Sequence, residues 1–153
     1  MTLANGRTIP TNPSALENAL PGILTSLDAD QINFLDSFQQ TVAAGVLMST
    51  LIRKPGKVTS FVAKALVGGT AGTTTVKLRK IAANGVVGGL VEVATVDLPN
   101  ADPDGRNYAG TLSVVPGATD LAVGDMLYIE VTAAATAATG LTASAAFEHL
   151  AVN

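Results

Sequence analysis

From about Ala44 onward the chain alternates side chains with a period of two, and short runs of glycine, proline and asparagine interrupt the alternation at close intervals. Val58, Ser60, Val62 and Lys64 alternate with Thr59, Phe61, Ala63 and Ala65; Val76, Leu78 and Lys80 with Lys77, Arg79 and Ile81; Leu127, Ile129 and Val131 with Met126, Tyr128 and Glu130. A strand sends successive side chains to opposite faces, so this pattern is that of half-buried strands. Between them lie Lys54-Pro55-Gly56, Gly68 to Gly72, Asn84-Gly85, Gly88-Gly89, Pro99 to Asn107, Pro116-Gly117 and Gly124-Asp125, all turn-forming clusters. Strands punctuated this often, with no helical pattern between them, predict an antiparallel sandwich or barrel rather than βαβ units. The expected strands are 46–53, 57–67, 73–82, 86–97, 108–115, 125–134 and 140–150. Asn84-Gly85 is expected to form a type I′ hairpin turn, because both central residues there need positive φ. Thr132 to Thr139, low in complexity, reads as strand edge and loop.

What fills such a sandwich follows from composition. The 153 residues are 48% hydrophobic but only 4% aromatic, with 15 Gly and no Trp, so small and β-branched side chains must make the core. Charged residues amount to 14%, against about a quarter in ordinary domains, which leaves little charge to solvate a monomer and points to an oligomer or assembly subunit. The length suits one domain with an appendage. The net charge of −3 and the lack of aromatics among the basic residues argue against nucleic acid as a partner. With zero Cys there is no disulfide framework and no thiolate ligand. Thr41 to Ile52 is the nearest approach to a membrane span, and Gly45, Ser49 and Thr50 break it well short of the roughly 20 residues required. The first residues lack a basic segment followed by an apolar run, so we expect a soluble product of cytoplasmic synthesis and no membrane partner.

Residues 1–43 read as an N-terminal arm, dense in proline at Pro10, Pro13 and Pro21. Asn12-Pro13 followed by Ser14 and Glu17 has the spacing of a capping box for a short helix carrying Leu16 and Leu20, stopped by Pro21-Gly22. A second helix is expected from a cap at Asp28 or Asp30 to near Gln40, with Ile32, Leu35 and Phe38 on one face and Phe34 and Val42 beside it.

Chemistry has few carriers. His149 is the single histidine and is expected to share a strand face with Phe147; alone it makes neither a metal cluster nor a nucleophile relay. The stretch Asp97 to Gly105 spaces oxygen ligands as a calcium loop does, but with Asn100 as first position the twelfth is Thr111 and not an acid, so a solvated turn is the better reading. The glycine runs at 68–72 and 85–89 lack the Gly-Lys-Ser/Thr ending of a phosphate loop and read as strand connectors. Glu92, Glu130 and Glu148 fall on separate expected strands. No catalytic group, cofactor or metal site is therefore expected. The charges between residues 53 and 80 are all basic: Arg53, Lys54, Lys57, Lys64, Lys77, Arg79 and Lys80. They read as a cationic sheet face or rim, either a solvated surface that blocks stray strand pairing or a dock for an acidic partner.

The order of segments from Gly56-Lys-Val-Thr-Ser-Phe-Val-Ala through Gly69-Thr-Ala-Gly-Thr-Thr-Thr-Val-Lys-Leu and Asn84-Gly85 to Leu121-Ala-Val-Gly-Asp-Met-Leu-Tyr-Ile-Glu-Val and Gly140-Leu-Thr-Ala resembles the small jelly-roll domains of tailed-bacteriophage virions, used by capsid decoration (cement) proteins and fibre modules. The resemblance implies an all-β, antiparallel jelly-roll-like β-sandwich at residues 44–153, preceded by an arm with one or two short helices. It further implies a homo-oligomer, a trimer by preference, on the capsid exterior, where it bridges subunits of the major capsid protein. Leu3, Arg7, Ile9, Leu16, Leu20, Ile23 and Leu24 of the arm, with Arg53, Lys54 and Lys57, are the candidate interface residues. A receptor- or glycan-binding fibre module is the alternative, and a hydrolase would need an acid pair or a histidine-centred site.

Overall fold

The computed structural model describes residues 29–35, 41–85, 89–100 and 105–149. Within them the chain forms strands β1 (Ala29–Leu35), β2 (Gly45–Leu51), β3 (Gly56–Val67), β4 (Thr73–Ile81), β5 (Val91–Pro99), β6 (Tyr108–Ala109), β7 (Thr111–Leu112), β8 (Asp120–Leu121), β9 (Met126–Ala133) and β10 (Thr139–His149). They make two five-stranded antiparallel sheets. One runs β1-β10-β3-β6 with β8 also on β3; the other runs β2-β9-β4-β5-β7. The described residues form an all-β sandwich of these two sheets.

The inward residues of each strand explain the packing. Val58, Phe61, Ala63 and Ala65 of β3 and Leu141, Ala143 and Ala145 of β10 form one buried cluster with Val76 and Leu78 of β4, Val93 and Val96 of β5, and Leu127, Ile129 and Val131 of β9. Phe61 is the one aromatic ring in that cluster, and alanines opposite it in the β3–β10 ladder leave it room. The buried Thr74 hydroxyl accepts a bond from the Ala135 amide at 3.0 Å, so the polar atom in the core is satisfied.

The expected strands at 46–53, 57–67, 73–82, 125–134 and 140–150 match β2, β3, β4, β9 and β10 to within a few residues. Four expectations are corrected. Residues 29–35, expected within a helix, are strand β1, in register with β10 from Ala29 opposite Glu148 to Leu35 opposite Thr142. Ile32 and Phe34 also alternate with Gln31 and Asn33, and a long β10 edge supplies hydrogen-bond partners that an isolated short helix cannot match. Residues 36–40, and the helix expected near Pro13 to Leu20, lie outside the described residues. The single strand expected at 108–115 is two: β6 pairs with β3, β7 with β5, and the chain crosses between sheets at Gly110. A Cβ at Gly110 would lie 2.8 Å from the Phe61 ring and 3.0 Å from the Thr95 carbonyl, so only glycine permits the crossing. The short β8 was not anticipated. Asn84-Gly85 is not a type I′ turn, since neither residue has positive φ; Gly85 instead donates to the Ala82 carbonyl at 2.7 Å, closing a turn one step earlier. Strand β5 accordingly begins at Val91 rather than at residue 86.

The stretch between β9 and β10 is a loop, as its composition indicated, closed by an Ala138 amide to Ala135 carbonyl bond of 3.2 Å. Ala137 within it has φ of 62°, and Gly69 facing it has φ of 99° with its Cβ position 2.5 Å from the Thr136 carbonyl oxygen. Gly69→Ala is expected to lower stability by about 1–3 kcal/mol, and Ala137→Gly to raise it by up to about 1 kcal/mol, in urea unfolding. Phe61→Ala, which leaves a ring-sized void, should cost about 3–5 kcal/mol in the same measurement.

Candidate functional site

The registers place the connections of the sandwich at two ends, and the ends differ. At one lie residues 52–55, 82–85, 89–90, 113–119 and 122–125, the start of β1 and the finish of β10; at the other lie 41–44, 68–72, 105–107 and 134–138. Of the exposed large apolar side chains, Leu51, Leu90, Val114, Val115, Val123 and Met126 sit at the first end, leaving Val46 and Val67 elsewhere. Leu51 and Met126 are direct cross-strand partners, so they share a face, and the Gly124 amide donates to the Ile52 carbonyl at 2.9 Å, which brings Val123 beside them. Leu51 and Val123 are each 59% exposed, uncommon for side chains of this size in positions with neighbours to pack on.

The backbone of this end is fixed. The Ile52 amide donates to the Asp125 carbonyl at 2.8 Å, and the buried Asp125 carboxylate accepts from the amides of Ala83 at 3.1 Å and Ala122 at 2.9 Å. Asp125 thereby ties three connections together.

Beside the apolar residues a cleft of about 300 Å³ opens between the end of β2 and the end of β10, lined by Thr50, Leu51, Ile52, Arg53, Lys54, Phe147 and His149. Phe147 and His149 do share a face, with ring centroids 5.0 Å apart and nearly perpendicular at 87°. Arg53 and Lys54 are both exposed at its rim.

The cations of β4 have a different fate. Thr75, Lys77 and Arg79 point away from the core, and acids on both flanking strands meet them. Lys77 Nζ donates to Glu92 Oε2 at 2.6 Å, Arg79 Nε lies 2.9 Å from Glu130 Oε2, and the Thr75 hydroxyl donates to Asp97 Oδ1 at 2.6 Å. Lys80 donates to the carbonyls of Asp120 and, at 2.7 Å, of Gly117. The outer face of this sheet is thus charge-balanced, not cationic. Tyr128, buried beneath it, has its phenol pushed above the ordinary tyrosine pKa by burial and by the Glu130 charge, with Arg79 opposing.

The candidate interface residues separate accordingly. Arg53 and Lys54 come together at the cleft. Lys57, exposed on β3, stands opposite Glu148 and Asp120 and does not line it. Leu3, Arg7, Ile9, Leu16, Leu20, Ile23 and Leu24 lie outside the described residues, as do Asp102 and Asp104 of the acidic loop. Glu92, Glu130 and Glu148 fall on β5, β9 and β10, the first two held apart by the cations of β4. Among the described residues no three histidine or acidic side chains gather as a metal-binding group. The apolar end was missed in sequence. Its signal was valine in turns, Val114-Val115 before Pro116 and Val123 before Gly124, where polar residues are usual.

Replacing Leu51, Val115 and Val123 with serine should lower the fluorescence of a bound hydrophobic dye severalfold while changing stability by no more than about 0.5 kcal/mol per site, as for other surface positions. The raised pKa of Tyr128 predicts alkaline sensitivity. Its contribution to stability is full below the unfolded tyrosine value of 10.0 and is lost as pH rises through the higher folded value, so Tyr128→Phe should flatten the fall in melting temperature above that pH.

No family model and no curated protein matches the chain. A chain in a solved structure of infectious bursal disease virus, Gt strain, aligns with 82% of this chain at 16% identity and a TM-score of 0.35. The alignment spans 37% of that viral chain, and the likeness is too distant to assign a fold or a function.

Proposed function

We propose that the protein is a non-catalytic structural component of a virus particle: a jelly-roll-type sandwich carried on the outside of the capsid, assembled as a trimer, that stabilises the shell by bridging subunits of the major capsid protein. The observation that carries this reading is the asymmetry of the sandwich. Apolar side chains gather at one end together with Arg53 and Lys54, two adjacent cations that make no ion pair among the described residues, whereas the outer face of the second sheet is neutralised by its own ion pairs. An end-on surface of that kind gains free energy by being covered, and a specific interface needs roughly 1,000 Å² or more. The order of strands and turns in the sequence, which resembles phage decoration proteins, supports the same assignment.

The fibre or glycan-binding alternative has less behind it. Sugar platforms are exposed aromatic rings, yet among the aromatic side chains that are described Phe61, Tyr128 and Phe147 are buried, and Tyr108 is half-buried with the Arg106 guanidinium 5.6 Å over its ring.

Density-gradient purification of particles, followed by mass spectrometry and immunogold labelling of intact particles, tests the reading. The chain is expected in the particle band with label on the exterior, and light scattering of the free protein should give three times the subunit mass. A monomer absent from particles would overturn the proposal.

A further inference from the structure

We propose that the cleft between the ends of β2 and β10 is a receptor for an acidic segment of a protein partner, in which a carboxylate side chain follows an apolar one. This rests on the reading of the protein as a surface-binding particle component and names the chemistry of what it grips.

The disposition of the cations is the first ground. Lys77 and Arg79 are paired with Glu92 and Glu130, Lys80 is spent on backbone carbonyls, Arg106 lies over Tyr108, and Lys57 stands between Glu148 and Asp120 in the register. Arg53, Lys54 and Lys64 make no ion pair among the described residues, but Lys64 stands singly on β3 opposite Thr142, whereas Arg53 and Lys54 are exposed and adjacent at the cleft. The acid nearest to them through the backbone hydrogen bonds, Asp125, is buried and already accepts two amides. Two neighbouring cations without a local counter-charge form a positive potential that an incoming carboxylate satisfies.

The walls are the second ground. Leu51, Ile52 and Phe147 give the cleft an apolar side, and Thr50 and His149 place a hydroxyl and an imidazole along it. An apolar residue next to the carboxylate fits against the Leu51 and Phe147 side while its neighbour meets Arg53 and Lys54 at the rim. The cleft is also preorganised, because Ile52 is pinned to the Gly124-Asp125 turn through both its amide and its carbonyl. Little ordering entropy is therefore lost on binding.

The test uses the full-length protein and a fluorescein-labelled peptide in which two glutamates follow a leucine, with a glutamine counterpart, read by anisotropy. The glutamate peptide is expected to bind at least about tenfold more tightly than the glutamine one, and more weakly as salt is raised. Arg53→Ala with Lys54→Ala should weaken it about tenfold, as the loss of two exposed ion pairs together allows. Lys64→Ala, which removes an equally exposed cation from the outer face of β3, should leave it unchanged. Amide shifts confined to residues 50–54 and 147–149 in NMR spectra would place the peptide in the cleft. Equal binding of the two peptides, an equal effect of the Lys64 and Arg53/Lys54 variants, or no binding at millimolar concentration overturns the inference. Failure here with the protein still found in particles removes only the cleft; peptide binding by a protein absent from particles supports the cleft and removes the particle reading.

Discussion

The ladder between β3 and β10 is the constraint on which the fold rests. It joins Gly56–Val67 to Thr139–His149, so pairing the two longest strands closes a loop over the chain between them. That closure is entropically costly, and the cost is offset by residues that let the sheets meet closely. Ala63 and Ala65 on β3 and Ala143 and Ala145 on β10 are small enough for the opposite sheet's Val76, Leu78, Leu127 and Ile129 to fill the space between, with Phe61 as the single bulky wedge. The scarcity of aromatic residues is thereby matched by a core of Ala, Val, Leu and Ile.

The second sheet shows how a chain with few charges uses them. Lys77 stands opposite Glu130 in the register but bonds diagonally to Glu92, while Arg79 stands opposite Glu92 and reaches Glu130. The four groups interdigitate across three strands and cover the buried Tyr128. Cross-strand pairs of opposite charge each add a modest stabilisation, and together they leave that face with nothing to offer an acidic partner. At the end of the molecule, by contrast, Arg53 and Lys54 meet no acid among the described residues, and Val114, Val115 and Val123 stay exposed.

Much of this architecture was legible in the residues, and the misses have physical causes. The period-two runs around Val58, Val76 and Leu127 identified strands because each buries one face, the condition under which alternation is sharp. Ile32, Phe34 and Leu35 satisfied both a helical and a strand spacing, and the decision was made by the β10 edge, a non-local partner. The break at Gly110 depended on the Phe61 ring and the Thr95 carbonyl, which no local pattern announces. Arg53 and Lys54 stood out as cations in the sequence, but their distinction from Lys77 and Arg79 required the register that brings acids to β4 and none to the turn after β2. The far wall of the cleft, Phe147 and His149, is some way along the chain from its near wall and became adjacent only through the β3–β10 pairing.

The first described segments lie on both halves of the sandwich. β1 runs along β10, Thr41 bridges to Thr139 and the Val42 amide bonds to Ala138, after which β2 runs along β9. β1 and β2 thus form an edge of each sheet, β1 against β10 and β2 against β9. Loss of that pairing would leave the outward edges of β10 and β9 open to other strands.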